Sequence, residues 1–263
     1  MKAILFTIRV NSLYSIRIPF TWQSALTYPV LSPSTVIGLV ANALQRYKND
    51  RHPREYLEEI EQEVVWAGSM LITPCVIKSY TTSSITKWDD TIGGKFTNAL
   101  GRQFAYSKNL QVVLIFKMSN LIDEINKALI SSPLTCGDSE SSITLESAPE
   151  IKEVEELIDC KEIDTFFPVP FVKEIETIGG GILYLMHEKC LKREGEEYPL
   201  RSYIVPLRNE KGILHPTTLR VKGEKLKVYK IKDTSLHIID YQSFQSFVEK
   251  MYQKKKEKTK KKK

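Results

Sequence analysis

Residues Tyr28 to Ala43, YPVLSPSTVIGLVANA, carry the change from extended backbone to the first convincing helix of this 263-residue chain. Ser32 suits the N-cap, where its side-chain oxygen accepts from an orphan amide. Pro33 suits the first helical position, where a missing N–H costs nothing. Val36, Leu39, Val40, Ala43 and Leu44 follow at three- and four-residue spacing, so one face of the helix is apolar and packs on a sheet. The start of the helix is thereby fixed against a core. Ser32, Ser34 and Thr35 set hydroxyls and free backbone N–H groups beside the positive end of the helix dipole, which suits a phosphate. The same residues also describe a capped core helix that binds nothing.

Upstream, Lys2 to Val10 alternates, with Ile4, Phe6 and Ile8 on one side and Leu5, Thr7 and Arg9 on the other, the pattern of a central strand. Asn11 to Thr27 reads as a surface connection carrying Arg17, Phe20 and Trp22; Arg17 fits either a phosphate or a carboxylate partner. Downstream, Arg54 to Gln62 predicts a short helix, and Val64 to Tyr80 is apolar and β-branched. Thr81 to Lys108 then turns long, polar and glycine-bearing between two strand-like runs, which predicts an extended β-hairpin projecting from the sheet. Lys87, Lys95, Arg102 and Lys108 interleave there with Trp88, Phe96, Phe104 and Tyr106. Cations for phosphates and flat rings for bases are what a single-stranded nucleic acid asks for. An ordinary hairpin whose rings pack on its own base has the same composition.

Leu110 to Phe116 predicts a strand, Asn120 to Ile130 an amphipathic helix capped by Asn120, and Ser142 to Leu145 a closing strand. Strand, helix, strand, strand, helix, strand is the order of a ferredoxin-like fold. Pro149 to Asp164 is acidic and helix-prone. Beyond it come only strand-like pieces: Gly181 to Met186, Ser202 to Pro206, Leu219 to Val221, Lys225 to Ile231 and Leu236 to Ile239. Gly179-Gly180-Gly181 fits a turn or an anion nest, and Tyr241 to Tyr252 a last helix before a disordered lysine tail. The expected class is α+β, with a ferredoxin-like domain over 1–150 that carries an insertion at about 79–108, a β-rich part over 151–253 and the tail over 254–263.

Composition narrows the function. Hydrophobic content of 42% is that of a globular chain. No apolar run approaches the roughly 18 residues of a membrane span and no signal peptide is recognisable, so the expected location is the cytoplasm, without membrane contact. Cys75, Cys136, Cys160 and Cys190 form no metal or disulfide pattern. The net charge is +6, of which Lys254 to Lys263 supplies +7 and the body −1. Ile77 to Lys117 holds six basic and two acidic residues, whereas Leu121 to Glu176 holds four basic and fourteen acidic. Segregation of this kind permits a basic groove that the overall balance hides, although the acidic block reads better as a solvated face. No phosphate-binding loop, nucleophile elbow, metalloprotease motif or dinucleotide fingerprint is present. His52, His187, His215 and His237 lack neighbours that would tune them. No catalytic residue, metal site or cofactor is expected.

SPSTVIGLVANAL, RQFAYSKNLQVVLIF and GDSESSITLESAP (Gly137 to Pro149), in this order and spacing, resemble the Cas-five family of the RAMP superfamily, subunits of type I CRISPR Cascade complexes, and in particular its archaeal type I-A branch. The resemblance covers roughly the first 150 residues. It implies an RRM-like, ferredoxin-like RAMP fold with a projecting thumb hairpin, here the insertion at about 79–108. It also implies a non-catalytic subunit that caps the 5′ handle of CRISPR RNA in antiviral defence. The partners would be the handle, the backbone RAMP subunit and the large subunit, with target DNA met only indirectly. By position, Ser32, Ser34 and Thr35, with Arg17, become handle contacts. Lys87, Lys95, Arg102 and Lys108 become phosphate contacts of the thumb, and Trp88, Phe104 and Tyr106 its stacking groups. One branch of the family is a metal-independent endoribonuclease using a tyrosine, a lysine and a histidine. Here Leu44 stands on the corresponding helix face and no Lys-His pair occurs, which argues against cleavage. The alternative is nonetheless such an endoribonuclease, acting through a histidine and a thumb lysine. An interaction module docking a basic partner through the acidic block is a third reading.

Overall fold

The computed structural model of the chain describes residues 1–21, 24–85, 97–117, 121–137, 141–190 and 200–240. The elements run β1 (Lys2–Val10), β2 (Ser24–Ala25), α1 (Pro33–Lys48), α2 (Pro53–Glu63), β3 (Val64–Leu71), β4 (Cys75–Ile85), β5 (Thr97–Ser107), β6 (Asn109–Phe116) and α3 (Ile122–Ser131). Only strands follow among the described residues: β7 (Leu134–Thr135), β8 (Ser142–Leu145), β9 (Glu150–Thr165), β10 (Val169–Pro170), β11 (Glu176–Ile178), β12 (Ile182–His187), β13 (Leu200–Val205), β14 (Leu207–Glu210), β15 (Ile213–Pro216), β16 (Leu219–Ile231) and β17 (His237–Asp240). The class is α+β and strand-rich. Every described strand pair is antiparallel except the short β2–β5 pair.

β1 is central, as its alternation predicts. β6 lies along one edge of it, from Lys2 opposite Phe116 to Arg9 opposite Asn109. Its other edge is shared, with β9 beside its first half and β8 beside its end. The large sheet has the order β11-β16-β9-β1-β6-β3. Ile4, Phe6 and Ile8 point to the face covered by α1 and α3, in one cluster with Val36, Leu44, Ile125 and Leu129. Ala3 and Leu5 point to the opposite face, against Trp66, Phe167, Tyr229 and Ile238. Each fully buried side chain of this size is worth about 1.5–3 kcal/mol, so a strand buried on both sides anchors the fold.

α1 starts as its sequence predicts, with Ser32 at the N-cap and Pro33 first in the helix, and it ends at Asn49 in the left-handed conformation. α2 is capped by His52, whose Nδ1 accepts from Arg54 N–H at 3.2 Å. At α3 the residue flanking the helix is Leu121, which makes no side-chain capping bond. The expected cap, Asn120, lies outside the described residues, as do Tyr241 to Tyr252 and the lysine tail.

The acidic stretch overturns its helical reading. Residues 150–165 form β9, a 16-residue strand. Ile151, Val154 and Leu157 recur every three residues and imitate a helical face, but the partner β16 sets a different geometry. Pairing of β9 with β16 shifts register between Lys222 and Leu226 and again between Leu226 and Val228. Such bulges break strict alternation in a strand. The two runs Leu219 to Val221 and Lys225 to Ile231, separate in the sequence reading, are one strand. Across this ladder Arg220 pairs with Asp164 at 3.0 Å and with Glu162 at 3.4 Å, Lys222 with Glu162 at 3.3 Å, and Lys227 with Glu156 at 3.3 Å. Much of the acidic block is therefore matched inside the molecule.

Two smaller sheets complete the fold, β10-β13-β12 and the five-stranded β14-β15-β4-β5-β2. No described helix is long and apolar enough to cross a membrane.

Candidate nucleic-acid interface

The start of α1 is held by polar bonds from three sides. Leu31 N–H donates to Ser69 Oγ on β3 at 2.8 Å, and that hydroxyl donates back to the Leu31 carbonyl at 3.3 Å. The buried Tyr14 hydroxyl donates to the Pro29 carbonyl. Ser32 Oγ accepts from Thr35 N–H and lies 3.1 Å from Ser34 Oγ and 2.8 Å from Thr35 Oγ1. Only 3% exposed, Ser32 shapes the helix start from within. Ser34 and Thr35 instead line an open cleft of about 530 Å³, together with Gly38 and Asn42 of α1, His187 at the end of β12, and Lys189 and Cys190 just beyond it.

Burial lowers the pKa of His187 and pushes the Cys190 thiol up to about 12, helped by the Glu61 carboxylate. The imidazole and the thiol are neutral at pH 7, and Cys190 Sγ donates to the Ser34 carbonyl at 2.9 Å. Lys189 is the formal cation among the described lining residues. Three hydroxyl-bearing residues, Ser34, Thr35 and Thr135, with a carboxamide, an ammonium group and the positive end of a helix suit an anionic or sugar-bearing ligand. Nothing in this set resembles an activated nucleophile.

The second region is the β4–β5 hairpin, paired from Cys75 opposite Ser107 to Ile85 opposite Thr97. Val76, Lys78 and Tyr80 stand opposite Tyr106, Phe104 and Arg102, so these six share one face of the sheet. Ala105 and Cys75, on the other face, are fully buried. Tyr80 and Tyr106 are 48% and 46% exposed. The Arg102 guanidinium sits 4.8 Å from the Phe104 ring centre, and Tyr80 meets that ring edge-on at 5.8 Å. Arg102 also donates to Ser15 Oγ at 3.2 Å. The segment before α1 runs along the free edge of β5: Tyr14 bridges Ala105, and β2 pairs with Gly101 and Arg102.

The structure thus divides the sequence-predicted residues. Arg102, Phe104 and Tyr106 share the hairpin face, with Lys108 exposed just beyond β5. Arg17, exposed and donating to the Thr21 carbonyl at 3.1 Å, belongs to the segment along this hairpin. Ser34 and Thr35 belong to the cleft. The seven steps of chain from Ala25 to Ser32 allow the two regions to be at most about 25 Å apart. Lys87, Trp88, Lys95 and Phe96 lie outside the described residues. The sequence reading missed Lys78 and Tyr80, although their alternation with Val76 in VIKSY marks one strand face. It also missed Lys189, which joins the cleft through a tertiary approach that no local pattern encodes.

Residues 7–129 match the sequence profile of the family described as CRISPR-associated protein (Cas_Cas5). That span, a little under half of the chain, is similar to Cas-five proteins. No curated protein sequence matches the chain. In fold, the chain is similar to the crystal structure of a CRISPR protein from Archaeoglobus fulgidus, at 15% identity and a TM-score of 0.56, over 91% of this chain and 98% of that one. Weaker likenesses are a chain of the type III-B Cmr-beta assembly bound to cognate target RNA and AMPPnP (10% identity, TM-score 0.46, 81% and 85% covered) and one of a CRISPR RNA-guided surveillance complex (13%, 0.43, 82% and 90%). The matched span contains the end of β1, all of α1 and the hairpin strands, and most of α3, hence every sequence-predicted contact residue. Among the described residues no cluster of His, Cys, Asp or Glu could hold a metal ion.

Proposed function

We propose that the chain is a Cas-five protein, a CRISPR RNA-binding subunit of a type I Cascade complex, of the archaeal I-A branch, working in the cytoplasm in antiviral defence. It caps the repeat-derived 5′ handle, contacts the backbone RAMP and large subunits, and meets target DNA only through the assembled complex. The family match over residues 7–129 carries this reading, because that span holds both the cleft wall at Ser34 and Thr35 and the basic-aromatic hairpin face. The strand order β9-β1-β6-β3, with α1 between β1 and β3 and α3 after β6, supports a ferredoxin-like RAMP core that extends past the expected residues 1–150 into β9. The β4–β5 hairpin, inserted between β3 and β6, would be the thumb. Handle phosphates would meet Ser34, Thr35 and Lys189, with Ser32 shaping the helix start, while Lys87, Lys95, Arg102, Lys108 and Arg17 follow the backbone. Trp88, Phe104, Tyr106 and Tyr80 supply rings on which bases stack, each worth about 1–3 kcal/mol.

A second reading rests on one observation: His187, neutral at neutral pH, lines the same cleft as Lys189. A neutral imidazole beside an ammonium group could run metal-independent cleavage of repeat RNA by general acid–base chemistry. Incubation of the purified protein with end-labelled repeat RNA in chelator separates the two. Handle-dependent binding without cleavage is the expected result. Specific cleavage, lost in His187→Ala, would overturn the non-catalytic reading, and absence of handle-dependent binding would overturn both.

A further inference from the structure

We propose that the RNA-binding surface continues from the β4–β5 hairpin onto the β14–β15 hairpin of the C-terminal half, where Arg208 and His215 receive the single strand as it leaves the aromatic face. This rests on the RNA-binding reading above and adds a second segment of chain to it.

Strand register carries the inference. Ile213 of β15 stands opposite Val76 of β4, and Val76 opposite Tyr106 of β5. Cross-strand partners share a face, so Ile213 lies on the hairpin's aromatic side. Two residues along, His215 shares that side, and its partner across β14 is Arg208, just as Glu210 is the partner of Ile213. One face of the five-stranded sheet therefore presents Arg208, His215, Lys78 and Arg102 together with Tyr80, Phe104 and Tyr106. Leu214, Cys75 and Ala105 close the other face against the core. Among the described residues, the aromatic side is the exposed one.

β14 lies three strand spacings, about 14 Å, from β5, a distance that a few nucleotides of single strand can cover. Arg208 is 65% exposed and rests on Glu210 at 2.8 Å; Glu210 also lies 3.8 Å from His215. An exposed pair of this kind is worth at most about 1 kcal/mol, so a phosphate displaces the carboxylate readily. Ile213, 39% exposed between the cations and the rings, offers an apolar seat for a base or ribose. The turn brings a further cation to the hairpin tip. Lys211 and Gly212 form a two-residue loop with positive φ values of 51° and 83°, a conformation glycine adopts without strain. An acidic protein could use the cations but has no use for three part-exposed rings, whereas a single strand uses both.

The test is fluorescence anisotropy of the full-length protein with a labelled oligonucleotide carrying the 5′ handle and the nucleotides that follow it, titrated over salt in chelator. Arg208→Glu/His215→Ala should bind about tenfold more weakly, and its log–log salt slope should be shallower by about 0.7 for one lost phosphate. Arg208→Ala, the milder change at an exposed position, should move the same way with an unchanged thermal melt. Wild-type binding by these variants while Lys78→Glu/Phe104→Ala is impaired would overturn the extension and leave the RNA reading intact. Undiminished binding by all of them would overturn both. Equal weakening by Arg54→Glu, on exposed α2 away from this sheet, would reduce the effect to long-range charge and overturn the extension. Loss of complex assembly without loss of RNA affinity would assign the face to a protein and overturn it as well.

Discussion

The β9–β16 ladder and the outer face of the five-stranded sheet are both dense in charge, yet they use it in opposite ways. Along the ladder, Glu153, Glu156, Glu162 and Asp164 meet Lys232, Lys227, Lys222 and Arg220, sign against sign. On the sheet face, Lys78 stands opposite Phe104, and Lys108 lies exposed past Tyr106; no ion pair involves either lysine among the described residues. Matched charges on neighbouring strands spend their field on each other. Cations set between rings keep theirs for a ligand. What separates the two is the strand partner, which a charge count along the sequence does not contain.

The sharpest way to break this comparison is to reverse the same number of charges in each region. Lys78→Glu/Lys108→Glu should weaken binding of handle RNA by on the order of 100-fold at low salt and reduce the slope of log affinity against log salt by about 1.4. Lys222→Glu/Lys232→Glu, an identical change of net charge on the ladder, should leave affinity within about twofold. Filter binding across a salt series distinguishes them. Equal losses would mean that RNA sees only the total charge of the chain.

The next effect concerns rigidity of the cleft. Ser69 is fully buried and bonds both polar backbone groups of Leu31, so Ser69→Ala strands a buried N–H just before the cap of α1. A loss of about 1–3 kcal/mol in urea unfolding is expected. Ser32→Ala, which removes the cap itself, should cost about 1 kcal/mol. Because both act through the helix start, handle binding should fall with either, while binding of a handle-free single strand, which the hairpin face alone receives, should hold. Loss of both activities together would show the two regions to be one cooperative site.

The start of α1 and the paired strands of the hairpin were legible in the sequence because local rules govern them. Ser32-Pro33 is a complete helix-start signal, and Val36 to Leu44 repeats at helical spacing against the alternation of β1. β9 was not legible. Glutamate-rich sequence favours a helix, the three-residue recurrence of Ile151, Val154 and Leu157 agrees with it, and only the basic β16, arriving some 60 residues later, overrides both. β14 and β15 left a signal that went unread: Lys211-Gly212 between two short runs, with Asn209 Oδ1 accepting from Gly212 N–H at 3.0 Å, is a two-residue hairpin turn. His187 and Lys189 meet Ser34 only through packing of β12 on α1, so no spacing rule could have joined them.

The smallest expected effect tests the ladder from the acid side. The hydrogen bond from Arg220 holds the Asp164 carboxyl below its ordinary range, and the bond from Lys232 does the same for Glu153. A carboxyl whose folded pKa is depressed contributes stability above its unfolded pKa, near 4, and loses it as the pH falls through the lower folded value. The ladder should therefore weaken below about pH 4. These groups are solvent-exposed, so screening keeps each contribution small. Asp164→Asn should lower the melting temperature by about one degree at pH 7. That difference should vanish as the pH falls through the depressed folded pKa and the native carboxyl is protonated too, and again in molar salt. Reversing the Glu162–Lys222 pair, by Glu162→Lys with Lys222→Glu, should restore part of what either single change removes, since the ladder requires opposite signs across it, while the contact of Glu162 with Arg220 stays lost. If the swapped protein melts as low as the worse single variant, β9 and β16 are held by the bulged backbone and Leu157, Val221 and Val228 alone, and the charges there are as idle as those of an ordinary solvated face.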